Sequence, residues 1–400
     1  MAMSDLFPII YQKSFQETFN KKNIGLKVAN FRTSDEINNV GDTLKRPINV
    51  AVPTPRKLVN GADHKINALS PSTESMTIDQ YWEASFYLTD KDVLQSNVKT
   101  LANDAGKQYA QSLSNKVDAD ILFQATVATS TVDKSSGDFG GSAGEGIALT
   151  EANVRKISTQ STEKLNLLDV DTTDMVAVVP AQYMTFLTDY LASRNTDMGD
   201  KIGMNGFAGS YAGIKHYISN NLTGSVNVLW GGNPTNGQTF IVNGKTVTFV
   251  SSIGATAGNV LIGGSAALTA ANLNTLLNAP SVTTATGVAF AGEDADIIES
   301  TVVSTNASGT LTIKFKGKNK ASVGAGTSSP TISKYITHAL IAKQGNPTCV
   351  MQMGFGTYEA NKEPKQIGTV NHLRKVLYGV KSFEDERKAM VNVLIDSTSY

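Results

Sequence analysis

The chain has 400 residues, 40% of them hydrophobic, and its 35 basic residues balance 35 acidic ones. That length and apolar content permit more than one packed core and exclude disorder throughout. The charge balance excludes a global attraction to nucleic acid or to an anionic membrane, so any contact with DNA must be local.

Residues 1–40 read as an arm with a short helix around 9–19 and scattered Lys13, Lys21, Lys22, Lys27 and Arg32. The opening MAMSDLFPIIYQKSF lacks a cationic region followed by an apolar stretch, and no run reaches ~18 apolar residues. The expectation is a chain that is neither exported by a cleaved signal nor membrane-spanning.

From Gly41, GDTLKRPINVAVPTP alternates imperfectly and carries Pro47, Pro53 and Pro55, which confines it to an edge or free-standing strand. Residues 75–88, which contain MTIDQYWEASFYL, are rich in β-formers and read as the return strand, with LVNGADHKINAL supplying the turn. A lone two-stranded hairpin is marginal in water, so this one is expected to lie on something else, most simply another copy of the chain.

A single apolar stripe then runs through Leu94, Val98, Leu101, Ala105, Tyr109, Leu113, Val117 and Ile121 and predicts one helix over 89–128. Thr89 is its expected cap, with Asp90 and Asp92 where the helix dipole favours acids. About 38 residues at 1.5 Å each give a rod of roughly 55 Å, a beam rather than a core element. Polar residues interrupt any strict heptad, which argues against a coiled coil.

A Gly/Ser-rich loop, TSTVDKSSGDFGGSAGEG, precedes a helix from Thr150 with capping residues in LTEANV. MVAVV reads as an apolar strand and Pro180 as the first residue of the next helix, AQYMTFLTDYLA. YAGIKHYISNNL returns as a strand, giving an α/β region with a mixed sheet. At about Gly224 the texture changes: no Lys or Arg lies between Lys245 and Lys314. There TFIVNGKTVTF predicts a hairpin with a type I′ turn at Asn243 and Gly244. ALTAANLNTLLNAP predicts a short helix with Leu273, Leu276 and Leu277 on one face, and TLTIKFKGKNK a further strand. Residues 224–332 therefore read as an inserted, independent β-rich domain, which closure entropy tolerates because it grows only logarithmically with length. HALIAK, CVMQM, TVNHLRKVLYGVKSF and RKAMVNVLI are strand-like and are expected to complete the sheet begun by MVAVV.

No catalytic, cofactor-binding or metal site emerges from the residues. Gly140, Ser142 and Gly144 match a nucleophile elbow, but the flanks are polar and glycine-rich instead of strand and helix. Asn243, Gly244, Lys245 and Thr246 imitate a phosphate loop whose first glycine would fall at Thr239. His64, His216, His338 and His372 form no metal-ligand spacing, and His216 and His338, in expected strands, read as structural. Asp118 with Asp120, Asp169 with Asp171 and Asp294 with Asp296 lack the other ligands of a calcium loop and read as solvated turn or cap carboxylates, with a weak divalent site at an interface as the alternative. Lys314, Lys316, Lys318 and Lys320 alternate and read as one soluble face of a strand that protects a sheet edge, with contact to a polyanion as the alternative. The sole cysteine, Cys349, sits in an apolar run and reads as a small buried hydrophobe in a reducing compartment, not as a catalytic thiol.

The order of parts resembles the major capsid (coat) proteins of tailed bacteriophages, the shell fold shared with encapsulins and herpesvirus capsids, in the subfamily with an insertion domain. The resemblance runs over nearly the whole chain and is carried jointly by several stretches. These are GDTLKRPINV, MTIDQYWEASFYLTDKDV, VDADILFQATV, MVAVVPAQYMTFL, GIKHYISNNL and HLRKVLYGVKSFEDERKAMVNVLI.

It implies an α+β fold divided into an N-terminal arm (1–40), an extended hairpin loop (41–88), and a spine helix with peripheral domain (89–149). The first part of a central axial domain (150–223), the insertion (224–332) and return strands (333–400) follow. It further implies a non-enzymatic protein without cofactors that self-assembles through hexamers and pentamers into an icosahedral shell around double-stranded DNA. The implied partners are further copies of itself, a scaffolding protein, a portal, decoration proteins and packaged DNA contacted without sequence preference. The implied location is the virion, after assembly in the host cytoplasm. No Lys and Asn pair for a covalent cross-link between subunits is identifiable. Two other readings are a surface or tail-associated binding module that uses the insertion, and a serine hydrolase that uses Ser142.

Overall fold

The computed structural model describes residues 11, 13–14, 23–33, 43–49, 57, 60, 71–89, 98–193, 210–317, 322–333, 335–362 and 369–397. Its strands, in chain order, are β1 (Asn30–Thr33), β2 (Thr43–Asn49), β3 (Pro71–Thr77), β4 (Gln80–Thr89), β5 (Ser130–Val132), β6 (Met175–Val179), β7 (Ser210–Tyr211), β8 (Ile214–Ile218), β9 (Thr223–Leu229) and β10 (Thr239–Val242). There follow β11 (Lys245–Val250), β12 (Asn259–Leu261), β13 (Val302–Ala307), β14 (Thr310–Phe315), β15 (Val323–Gly324), β16 (Thr331–Ile332), β17 (Ile336–Lys343), β18 (Thr348–Lys362), β19 (Thr369–Lys381) and β20 (Met390–Asp396). The chain divides into two compact units, one of residues 1–20, 31–113 and 348–383, the other of 21–30, 114–347 and 384–400.

In the first unit the strand order is β1-β18-β19-β4, and β2 pairs with β3 in a separate two-stranded ribbon. The expected single return strand over 75–88 is therefore two strands in two sheets, interrupted at Ile78 and Asp79. The cause lies far away in sequence. At Gly379 of β19 the absence of a side chain lets the chain cross, since a Cβ there would stand 2.7 Å from the Thr77 carbonyl oxygen and 3.2 Å from Ile78 Cα. Pairing with β19 starts only afterwards, at Gln80 opposite Tyr378. The base of the ribbon rests on its own chain: Met76 and Ile78 pack with Val350 and Phe383, flanked by Leu44 and Leu377. Lys381 Nζ donates to the Ser75 carbonyl at 2.6 Å and pairs with Glu74 at 3.3 Å. Of the expected turn, only Lys57 and Asn60 are among the described residues.

The long helix is Val98–Phe123, followed by a 3-10 turn over Gln124–Val127. Its 26 residues span about 39 Å. Thr89, expected as its cap, instead ends β4, and residues 90–97, including Leu94, lie outside the described residues. In the N-terminal half the buried seam is Ala102, Gly106 and Ala110, one position round from the expected Leu101, Ala105 and Tyr109. A Cβ at Gly106 would stand 2.9 Å from the Tyr11 carbonyl oxygen, so small residues face inward because backbone approaches them there. Tyr11, Lys13 and Ser14 are helical, and they are the described part of the short helix expected over 9–19.

In the second unit a ten-stranded mixed sheet is organised around β17. One edge of β17 pairs with β20 from Ile336 to Ala342; the other pairs first with β9, at Ile336–His338, and then with β6, at Leu340–Lys343. β6 continues in parallel to β8, and β20 in parallel to β5. Every residue of β6 and β20 is buried, as are the first seven of β17. The reason is that both faces are covered. Ala177, Ala339, Ile341 and Val393 pack beneath Ile157 and Leu187 of the helices Glu151–Asn166 and Ala181–Ala192. Val176, Leu340 and Met390 meet Leu122, Ala125 and Val28 on the other face.

Local expectations hold here. Thr150 caps its helix, with Oγ1 accepting from Asn153 N at 3.2 Å. Pro180 occupies the cap itself, with φ −69° and ψ 155°, one place earlier than expected. Of the strands expected to complete the sheet, β17 and β20 do so, whereas β18 and β19 belong to the first unit. Glu384–Lys388 is helical, which corrects the strand reading of the start of RKAMVNVLI.

Within 224–332, the hairpin β10–β11 turns at Asn243 (φ 51°) and Gly244 (φ 78°), as its sequence demands. The helix Ala266–Asn278 is capped by Ser265 and buries Leu273, Leu276 and Leu277. A second helix, Glu293–Thr301, was not expected. These elements share one apolar cluster that includes Trp230, Phe240, Phe249 and Phe315. Strand β9 bonds to β14 and β16 as well as to β17, so backbone hydrogen bonds carry the central sheet into this segment.

Candidate functional site

Most of the described polar groups that the sequence singles out stand in structural contacts. His338 is buried between Asn392 Oδ1, 3.0 Å from Nδ1, and Ser225 Oγ, 2.8 Å from Nε2, and burial pushes its pKa down to about 4. His216 stacks on Tyr183 at 5.9 Å and is likewise pushed down to about 4 by burial. His372 stacks on Phe86 at 5.0 Å. These rings stay neutral packing elements; His64 lies outside the described residues.

The acidic pairs correct the expectation of solvated carboxylates in part. Asp118 is 1% exposed and accepts from the Gly25 amide, from Ser219 Oγ at 3.2 Å and from Asn221 Nδ2 at 3.1 Å. It therefore fastens the segment of Gly25–Val28 to the helix and to the loop after β8; burial raises its pKa against the pull of those donors. Asp120 is 5% exposed and pairs with Lys116 and Lys316. The stripe reading places apolar residues in this stretch, but acids at these positions are buried because each meets donors brought from distant segments. Asp171 is exposed and bonded to Lys343 at 2.8 Å, which holds its carboxyl down at about 2. Asp294 lies in the first turn of its helix and pairs with Lys245. Among the described residues no group of three His, Cys, Asp or Glu is placed to hold a metal ion.

Ser142 lies in a loop organised by Asp133, not in an elbow between strand and helix. Asp133 accepts from Gly144 N at 2.7 Å, from Ser135 N and Oγ, and from Ser136 Oγ. Burial pushes its pKa up, but these donors together outweigh it and leave the carboxyl lowered. Cys349 is fully buried at the start of β18.

The lysine ladder is corrected. Strand β14 stops at Phe315, so Lys316 stands in the following turn, and Lys318 and Lys320 lie outside the described residues. Instead of forming a soluble face, Lys314 and Lys316 turn to the ring of Phe123, at 5.9 and 5.0 Å from its centroid.

What remains outward-facing is surface. Among the described strands β4 ends its sheet, and its residues 81, 83, 85 and 87 are exposed, with Tyr81 and Tyr87 at 53% and 66%. The alternate residues Trp82, Ala84 and Phe86 turn inward, where Phe86 meets Tyr109 at 4.8 Å and Tyr11 at 5.5 Å. Two aromatic rings held in water on an edge strand are costly unless a partner covers them. The period-2 run in QYWEASFYL carries that alternation in the sequence. No described helix is long and apolar enough to cross a membrane.

No protein-family model and no curated protein matches the chain in sequence. Among solved structures, one from Mycobacterium phage Che8 is 12% identical and matches 93% of this chain and 91% of that one with a TM-score of 0.53. The capsid structure of the cyanophage P-SCSP1u is 11% identical, with 94% of this chain and 89% of that one covered, also at 0.53. At such identity the likeness is one of backbone course, and it spans both compact units.

Proposed function

We propose that this chain, which has the tailed-phage major capsid fold, is a structural, non-catalytic protein that builds an icosahedral shell through hexamers and pentamers and encloses double-stranded DNA. The observation that carries this reading is the near end-to-end match in backbone course to a capsid structure. The β2–β3 ribbon and the tyrosine-bearing edge of β4 support it, because both present surface that a further copy can cover. Repeated interfaces, each gaining roughly 25 cal/mol per Å² of apolar area, become cooperative when the lattice closes. A scaffolding protein, a portal, decoration proteins and non-specifically held DNA belong to the same reading, as do assembly in the host cytoplasm and residence in the virion.

The test is sedimentation velocity with negative-stain microscopy of the full chain, alone and with the scaffolding factor of its own genome. Rings or closed shells in either condition are the expected result. A stable monomer in both would overturn the proposal.

A further inference from the structure

Strand β4 is a long and regular edge. Among the described strands it pairs only with β19, from Gln80 opposite Tyr378 to Thr89 opposite Thr369, without a bulge. The strand at the other side of the same sheet, β1, is four residues long. Natural edge strands are blunted by short length, Pro, Lys or a bulge, because an open ladder invites another strand. β4 has ten residues and contains no Pro, Gly or Lys, and its single charged residue, Glu83, stands on the exposed face.

The residue types along this edge run nearly the same in both directions. Around Ala84, YWEASFY sets Tyr81 against Tyr87, Trp82 against Phe86 and Glu83 against Ser85. Two antiparallel copies of one strand related by a two-fold axis meet in such a register, each residue opposite the one equally far beyond the axis. The outer face then carries two Tyr–Tyr pairs, in which rings that are 53% and 66% exposed in the single chain cover one another. Registers displaced by two residues are worse. An axis at Glu83 sets that carboxylate directly opposite its own copy, a like-charge pair that costs stability. An axis at Ser85 sets Tyr81 against Thr89 and Glu83 against Tyr87, and both aromatic pairs are lost.

We propose that residues 81–87 of β4 pair antiparallel with the same residues of a second copy, about a two-fold axis at Ala84. Pairing removes the edge, because it joins two four-stranded sheets into one. The mirrored order of residue types is what a second copy requires, and a strand of different sequence has no need of it. Such a contact is isologous: it links one copy to one other and closes on itself. The proposal rests on the reading that the chain associates with its own copies, and within a shell the pair is a joint between rings instead of a step around one.

The experiment is sedimentation velocity of the full chain over a concentration series at low ionic strength, with thermal unfolding to check that each variant folds. In the proposed register, position 85 of each copy faces Glu83 of the other, so one substitution changes two contacts. Ser85→Lys should tighten association roughly threefold or more, although lysine on an edge strand ordinarily blocks pairing. Ser85→Glu should weaken it by a similar factor, and Glu83→Lys combined with Ser85→Glu should restore the strength of Ser85→Lys. Equal association of Ser85→Lys and Ser85→Glu, weakening by both, or a monomer in every variant overturns the proposal. Should Ser85→Glu fail to fold, Ser85→Lys decides, and no tightening overturns it. Rings or shells formed alike by all variants leave the shell standing and overturn this pair. Charge-dependent two-copy species without rings support the pair and count against the shell.

Discussion

Strands β17 and β4 are built from similarly apolar sequences and come to opposite ends. In ITHALIAK the first seven residues are all buried, because apolar clusters close over both faces and β20, β9 and β6 occupy both edges. In QYWEASFYLT burial alternates: one face turns to Tyr109 and His372, while the other leaves Tyr81 and Tyr87 in water. A strand covered on two sides within its own chain carries stability. A strand covered on one side leaves a face that a neighbour can cover.

Substitutions can separate the two roles. The largest effect is expected inside β17: Ile341→Ala should lower the unfolding free energy by about 4 kcal/mol, read from urea denaturation, because it opens a cavity in a fully buried cluster. Next is a pH effect. His338 and His216 have folded pKa values of about 4, below the ~6.5 of an unfolded chain. As pH falls, the unfolded state takes up protons first, so their contribution is complete above pH ~6.5 and is lost down to ~4. For buried His338 the loss is roughly 3 kcal/mol, and His338→Gln should flatten that part of the stability profile. Asp118→Ala should cost about 2 kcal/mol by leaving the Gly25 amide and the Ser219 hydroxyl without that acceptor. The smallest effect on stability is expected on the open face. Tyr87→Ala should move the unfolding free energy by no more than ~0.5 kcal/mol yet weaken association in sedimentation. A large loss of stability from Tyr87→Ala with association intact would erase the distinction.

The sequence discloses what is decided locally. Asn243-Gly244 can take positive φ values cheaply, Thr150 and Ser265 cap helices from within three residues, and MVAVV has the continuous apolar run of a doubly covered strand. What it conceals is decided by distant partners. Nothing in MTIDQYWEASFYL marks the break at Ile78, because the break is set by Gly379, 301 positions on. Alternating lysines after Thr312 imply one face until the strand stops at Phe315 and the helix end supplies Phe123 and Asp120. Asp118 has the polarity of a surface residue and is buried because Gly25, Ser219 and Asn221 bring their donors to it. The exposed tyrosines were legible as an alternation, but which of the two faces is open depends on where the helix and Tyr11 lie.

The central claim, that β4 and the β2–β3 ribbon are completed by other copies while β17 is complete in one, is tested most directly by hydrogen exchange. The same chain would be measured before and after assembly. The account predicts new protection in 43–49, 71–77 and 80–89, with no change in 175–179 and 336–343. Assembly that leaves the ribbon and β4 unprotected, or that protects β6 and β17 instead, would contradict it.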